Sequence, residues 1–133
     1  MRLILGDGFE IIEQLKPRFI VTDCNIELIG KLIRWCETHD AICIDAYSTR
    51  WLTCTGEHPA EKRVEPYKAL IEAFPNEPLV VDPFMGSGAI GEAALRAGRD
   101  FIGIEKVDRW FTIAEKRLNG IANALAGQDR AVG

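Results

Sequence analysis

The sequence predicts an α/β domain in which about five mainly parallel strands form one sheet with helices on both faces. Two observations carry that reading. Five short apolar or β-branched runs, at residues 3–5, 19–22, 41–44, 79–81 and 101–104, show none of the polar alternation of a half-exposed strand. Strands buried on both faces look like this. The segments between the runs carry apolar residues at helical spacing, and strand alternating with helix implies right-handed crossovers.

Taken in order, the strand at 3–5 leads into a helix marked by Phe9, Ile12 and Leu15. The strand at 19–22 leads into one marked by Ile26, Ile29, Leu32, Ile33 and Cys36. After the strand at 41–44, residues 47–59 hold Thr, Gly and Trp without a period, and a third helix follows with Val64, Ala69, Leu70 and Ala73 on one face. The strand at 79–81 leads through a glycine-rich turn into a helix with Ile90, Ala93, Ala94 and Ala97 on one face, ended by Gly98, a C-terminal cap signal. A last helix is expected over residues 110–125, with 127–133 a frayed tail of the single domain 1–133.

Each strand run ends near an acidic residue: Asp7, Asp23, Asp45, Asp82 and Glu105. In open parallel sheets, ligands bind outside the carboxyl ends of the strands, where the strand order reverses. Asp7, Asp23, Asp82 and Glu105 would line that edge together. Each taken alone is equally a cap for the helix behind it.

Composition narrows the function. Sixteen basic against twenty acidic residues give a net charge of −4, whereas a chain that grips bare nucleic acid usually carries a basic excess. Cys24, Cys36, Cys43 and Cys54 form no C-x-x-C pair, and His39 and His58 are the only histidines, so no metal site is expected. No apolar run is long enough to cross a bilayer and the opening residues lack a signal-peptide pattern. The expectation is a cytoplasmic chain with reduced thiols and no membrane partner.

Residues 80–91, VVDPFMGSGAIG, read as a buried strand, a glycine turn and a helix start. Gly86 and Gly88 let the backbone approach a ligand, and the free N–H groups of the helix start favour an anion. No Gly-Lys-Ser/Thr follows, which excludes a phosphate-binding P-loop, and the preceding Asp-Pro-Phe-Met departs from a dinucleotide fingerprint.

From Asp82 to Glu105, DPFMGSGAIGEAALRAGRDFIGIE resembles the DNA amino-methyltransferases, which methylate N-6 of adenine or N-4 of cytosine with S-adenosyl-L-methionine (SAM). The likeness continues less strictly into residues 109–114. His58-Pro59-Ala60-Glu61-Lys62 is similar to that family's HPTEKP element, with Arg63 where proline usually stands, and LILGDGFEIIEQL is similar to its first strand and helix. The resemblance implies a Rossmann-like SAM-methyltransferase domain in permuted motif order, with the closing hairpin missing. It implies that Gly86, Ser87 and Gly88 hold the methionine part of SAM, with Asp82 near its amino group. Glu105 would take the ribose hydroxyls, Asp7 would lie beside the adenine, and Phe84 and Trp110 would pack on the cofactor. Lys62 would close the pocket, or be a solvated surface lysine.

The family's catalytic Asp-Pro-Pro-Tyr is replaced here by Thr22-Asp23-Cys24-Asn25-Ile26. An exocyclic base amine is a poor nucleophile because its lone pair is delocalised into the ring, and the motif holds and stacks it. Asp23 remains to hold that amine. Asn25 is a second candidate, or a cap for the helix from Ile26. Only 34 residues lie between Asp23 and His58, which leaves no room for a target-recognition region. The expected function is therefore SAM binding, with methyl transfer to DNA only through a partner subunit or as a homo-oligomer. Two other readings stand beside it. One is a SAM-degrading anti-restriction enzyme using Asp23, Asp45 or Tyr47; the other is a catalytically inactive assembly module presenting Trp35, Tyr47 and Trp51.

Overall fold

The computed structural model describes residues 1–46 and 64–132. Five strands, β1 (Arg2–Leu5), β2 (Phe19–Thr22), β3 (Ile42–Asp45), β4 (Leu79–Asp82) and β5 (Asp100–Glu105), form one sheet. Their order is β1-β5-β4-β2-β3, and every pairing is parallel. The helices are α1 (Gly8–Leu15), α2 (Ile26–His39), α3 (Val64–Glu72), α4 (Ala89–Arg96) and α5 (Asp108–Val132).

Alternate residues of each strand point to opposite faces, and each face has its own core. On one, Phe19, Val21, Val80 and Phe101 pack with Tyr67 and Ile71 of α3, Ile90 and Ala94 of α4, and Ala114 and Leu118 of α5. On the other, Ile20, Val81 and Ile104 pack with Ile12 of α1 and with Ile29, Leu32 and Cys36 of α2. The doubly wound α/β expectation therefore holds in strand number, direction and helix placement.

Three local expectations are corrected. Strand β3 starts at Ile42 rather than Ala41. Asp40 takes a left-handed conformation at the end of α2, and the Ala41 N–H donates to the Cys36 carbonyl, so Ala41 belongs to the helix cap. Helix α3 buries Val64, Tyr67 and Ile71, while Ala69 and Ala73 are exposed, because the large side chains win the inward face from the alanines. Helix α5 begins at Asp108 and continues to Val132, beyond the expected bounds of 110–125 at both ends.

The glycine turn's helix is clamped from outside. Glu92 of α4 accepts from Arg96 at 2.9 Å and from Arg117 of α5 at 3.0 Å. Because both Glu92 and Arg117 are largely covered, Glu92→Ala is expected to cost about 1 kcal/mol, more than an exposed pair would. Urea denaturation checks this, and the Glu92→Ala, Arg117→Ala double variant should cost less than the sum of the singles.

Candidate functional site

A parallel sheet brings all its carboxyl ends to one edge. The chain leaves β4 for β5 on one side and leaves β2 for β3 on the other, so the crevice between the ends of β4 and β2 is the switch point of this sheet. Two adjoining cavities open there. The larger, about 260 Å³, is walled by Asp7, Phe9, Asn25, Leu28, Phe84 and Glu105. The smaller, about 150 Å³, is walled by Asp23, Tyr67, Asp82, Phe84, Gly86 and Ser87. Phe84 stands between them and lines both.

The turn after β4 is built by its side chains and by glycine. Asp82 is buried, and its Oδ1 accepts from the Phe84 N–H at 3.0 Å and from the Thr22 hydroxyl at 2.7 Å. Gly86 and Gly88 hold positive φ of 53° and 92°, which side chains resist. A Cβ on Gly86 would meet nothing within 4 Å, so the turn presents bare backbone to open space beside the smaller cavity. Gly88 begins α4 as its N-cap and has no side-chain cap, which leaves the positive end of that helix to the cavity.

Glu105 ends β5 and reaches back across the turn. Its Oε2 accepts from the Gly86 N–H at 3.0 Å and its Oε1 from the Val107 N–H at 3.2 Å. Each carboxylate oxygen can accept more than one hydrogen bond, so this arrangement accommodates a diol as well. Asp7 caps α1, accepting from the Glu10 N–H at 3.1 Å, and lines the larger cavity. Phe84 packs against Phe9 with ring centroids 5.2 Å apart, and the Lys31 ammonium lies 4.2 Å from the Phe9 centroid.

Of the two candidates from the damaged motif, Asp23 lies in the smaller cavity and its Oδ2 accepts from the Tyr67 hydroxyl at 2.6 Å. Asn25 lines the larger cavity but spends its side-chain oxygen capping α2, accepting from the Leu28 N–H at 2.9 Å. Between them, burial pushes the Cys24 thiol up to about 11, which disfavours its thiolate. Trp110 lines neither cavity; it is 43% exposed, with the Arg109 guanidinium over its ring. Trp35 is tied to its surroundings by an indole hydrogen bond to Glu13 at 2.7 Å and by stacking on His39. Tyr47, Trp51, His58 and Lys62 lie outside the described residues.

Tyr67 is the site residue that the sequence pattern misses. The i, i+3, i+7 series of Val64, Tyr67 and Ile71 is its signal. A tyrosine on a buried helical face also brings a hydroxyl that must find a partner.

The smaller cavity carries acid without a balancing base among its described lining residues. Burial is the main force on Asp82 and pushes its carboxyl up to about 7, and the charges of Asp23 and Glu105 act in the same direction. The bonds from Thr22 and Phe84 oppose this. A carboxyl raised in the folded state holds its proton more tightly there than in the unfolded chain. Its contribution to stability is therefore full below about pH 4 and is lost as pH rises through about 7. Asp82→Asn keeps the acceptor oxygen and removes the charge. The variant is expected to melt higher than wild type at about pH 8 and close to it at about pH 4, a difference that thermal denaturation across pH would measure.

A glycine turn at the switch point of a doubly wound sheet, with acidic residues at the strand ends, stands where open α/β sheets bind their ligands. Residues 35–116, more than half of the chain, match the family described as DNA methylase. The chain belongs to that N-6/N-4 DNA methylase family. YubD of Escherichia coli K12 is 43% identical over 70 residues, which is 51% of this chain and 30% of that protein. The type II methyltransferase M2.LlaDCHI of Lactococcus lactis subsp. cremoris is 41% identical over 73 residues, 54% of this chain and 26% of that protein. The chain thus spans less than a third of the length of these curated relatives. Among solved structures, M1.HpyAVI covers 88% of this chain and 98% of its own, with a TM-score of 0.56 at 19% identity. TTHA0409 of Thermus thermophilus covers 90% and 94%, with a TM-score of 0.57 at 15% identity. At that identity these two likenesses concern the fold alone. M1.HpyAVI has also been solved as a complex with SAM.

Proposed function

We propose that this chain is the SAM-binding domain of a DNA amino-methyltransferase, and that it transfers methyl groups to DNA with a partner subunit or a second copy. The observation that carries the reading is the pair of cavities joined at Phe84. One offers Asp7 and Glu105 to a nucleoside; the other offers the glycine turn, Asp82 and Asp23 to an amino-acid end and a reacting centre. Membership of the DNA methylase family and the SAM complex of M1.HpyAVI support the same assignment.

In this reading SAM, when bound, supplies a methyl group on a positively charged sulfur. Glu105 accepts from the ribose hydroxyls while keeping the Gly86 N–H. Phe84 offers an aromatic edge to the adenine beside Asp7. Asp82 meets the amino group of the methionine part, and Gly86, Ser87 and Gly88 approach its backbone-like atoms closely. Asp23, oriented by the Tyr67 hydroxyl, accepts hydrogen bonds from the exocyclic amine of the target base, and so returns electron density to a nitrogen whose lone pair is otherwise spread into the ring. The net charge of −4 supports a requirement for a further basic surface to hold the duplex.

Calorimetric titration of SAM, and of its demethylated product, into the purified chain tests the reading. One site per chain for both ligands is the expected result. A flat titration of folded protein would overturn it, because the glycine turn would then be a remnant without a ligand.

A further inference from the structure

We propose that Thr22 is a positioning residue for the methyl donor: its hydroxyl fixes the Asp82 carboxylate, in ionised form, where it meets the cationic end of the bound cofactor. The inference deepens the SAM-binding reading and rests on it.

Thr22 is the last residue of β2, a strand whose four residues are all buried. It is a fully buried hydroxyl in the middle of a sheet, where an unmade hydrogen bond is costly. That hydroxyl donates to Asp82 Oδ1 at 2.7 Å, and the Phe84 N–H donates to the same oxygen at 3.0 Å. Registered pairing between β2 and β4 is confined to Ile20 opposite Val81. The Thr22–Asp82 bond is therefore a further tie across the switch-point crevice, and its acceptor, Asp82, lines the smaller cavity. The following residue, Asp23, takes the Tyr67 hydroxyl. The end of β2 thus orients two carboxylates: Asp82 by direct hydrogen bond and Asp23 by placement.

The groups around Asp82 explain why it needs that donor. Among the described residues, the titratable groups facing it are Asp23 and Cys24 from the end of β2, Glu105 from β5 and Tyr67 from α3, all of them acids. Burial and the charges of Asp23 and Glu105 favour the protonated carboxyl, and the two hydrogen bonds favour the ionised one. A protonated Asp82 keeps an acceptor oxygen but has lost the charge that attracts a cation. Valine has the shape of threonine without its donor, so Thr22→Val preserves packing and tips the balance towards the proton.

The experiment is calorimetric SAM affinity between about pH 6 and pH 9 for wild type, Thr22→Val and Thr22→Ser, with circular dichroism confirming that each is folded. Loss of one donor is expected to move the carboxyl by about one pH unit. With the wild-type carboxyl at about 7, Thr22→Val should then bind SAM about ninefold more weakly at about pH 6, about fivefold at about pH 7 and within about twofold of wild type from about pH 8 upwards. Thr22→Ser should follow wild type throughout. An equal deficit at every pH would mean that Thr22 only packs, and no deficit would mean that it does nothing here; either overturns the inference while leaving SAM binding intact. Absence of SAM binding by wild type overturns the functional reading itself, and this inference with it. Should Thr22→Val fail to fold, Asp82→Asn takes its place: its deficit against wild type should widen as pH rises, and a deficit independent of pH overturns the inference.

Discussion

Gly8→Ala is expected to lower the free energy of unfolding by about 2–4 kcal/mol and to deform the larger cavity. Gly8 is the buried first residue of α1, immediately behind the cap Asp7. A Cβ there would lie 2.4 Å from the Pro83 carbonyl oxygen and 2.7 Å from Cε1 of Phe84. The carbonyl belongs to the backbone of the turn after β4, so it cannot swing away. Either α1 lifts off the sheet, or the turn shifts and takes Phe84 with it. Both movements change the wall that separates the two cavities, so loss of SAM affinity should accompany loss of stability. Gly120→Ala in α5 is the control. A Cβ there meets nothing within 4 Å, and alanine is the better helix former, so this variant should gain about 0.5–1 kcal/mol. Urea denaturation of both variants checks the contrast, and equal effects at the two positions would refute the close-packing argument.

That close approach shows where sequence reasoning reaches and where it stops. The five strands are legible because each is a short apolar run in a sheet packed on both faces, and burial there leaves little freedom of composition. The helix ends at Asp7, Asn25 and Gly98 are legible because capping is local chemistry. The glycine turn is legible because Gly86 and Gly88 carry backbone angles that other residues resist. Gly8 cannot be read in the same way, since its need for a hydrogen side chain comes from Pro83, seventy-five residues away in the chain. The inward face of α3 is misread because alanines at helical spacing look apolar whether or not they are covered. With it goes Tyr67, whose importance depends on Asp23 being brought opposite by the sheet. The Thr22–Asp82 bond is hidden for the same reason: it joins two strands that are neighbours only because the strand order reverses between them.

Glu105→Ala is expected to weaken SAM binding by about 30-fold or more, through the loss of charge-assisted hydrogen bonds to the ribose. The carboxylate also serves the protein, accepting from the Gly86 and Val107 N–H groups, so the substitution acts on the turn as well as on the ligand. The two contributions separate by chemistry. Glu105→Gln keeps one acceptor oxygen and replaces the other by a donor. It can hold Gly86 or a hydroxyl, but it cannot complete both sets of bonds. Its affinity should fall between those of wild type and Glu105→Ala, while its stability stays close to wild type. The ribose is common to SAM and to its demethylated product, so both ligands should lose affinity by the same factor in each Glu105 variant. The same factor for both ligands places Glu105 at the sugar. A loss confined to SAM would instead place its charge beside the sulfonium, and would exchange the roles assigned to Glu105 and to the carboxylates of the smaller cavity.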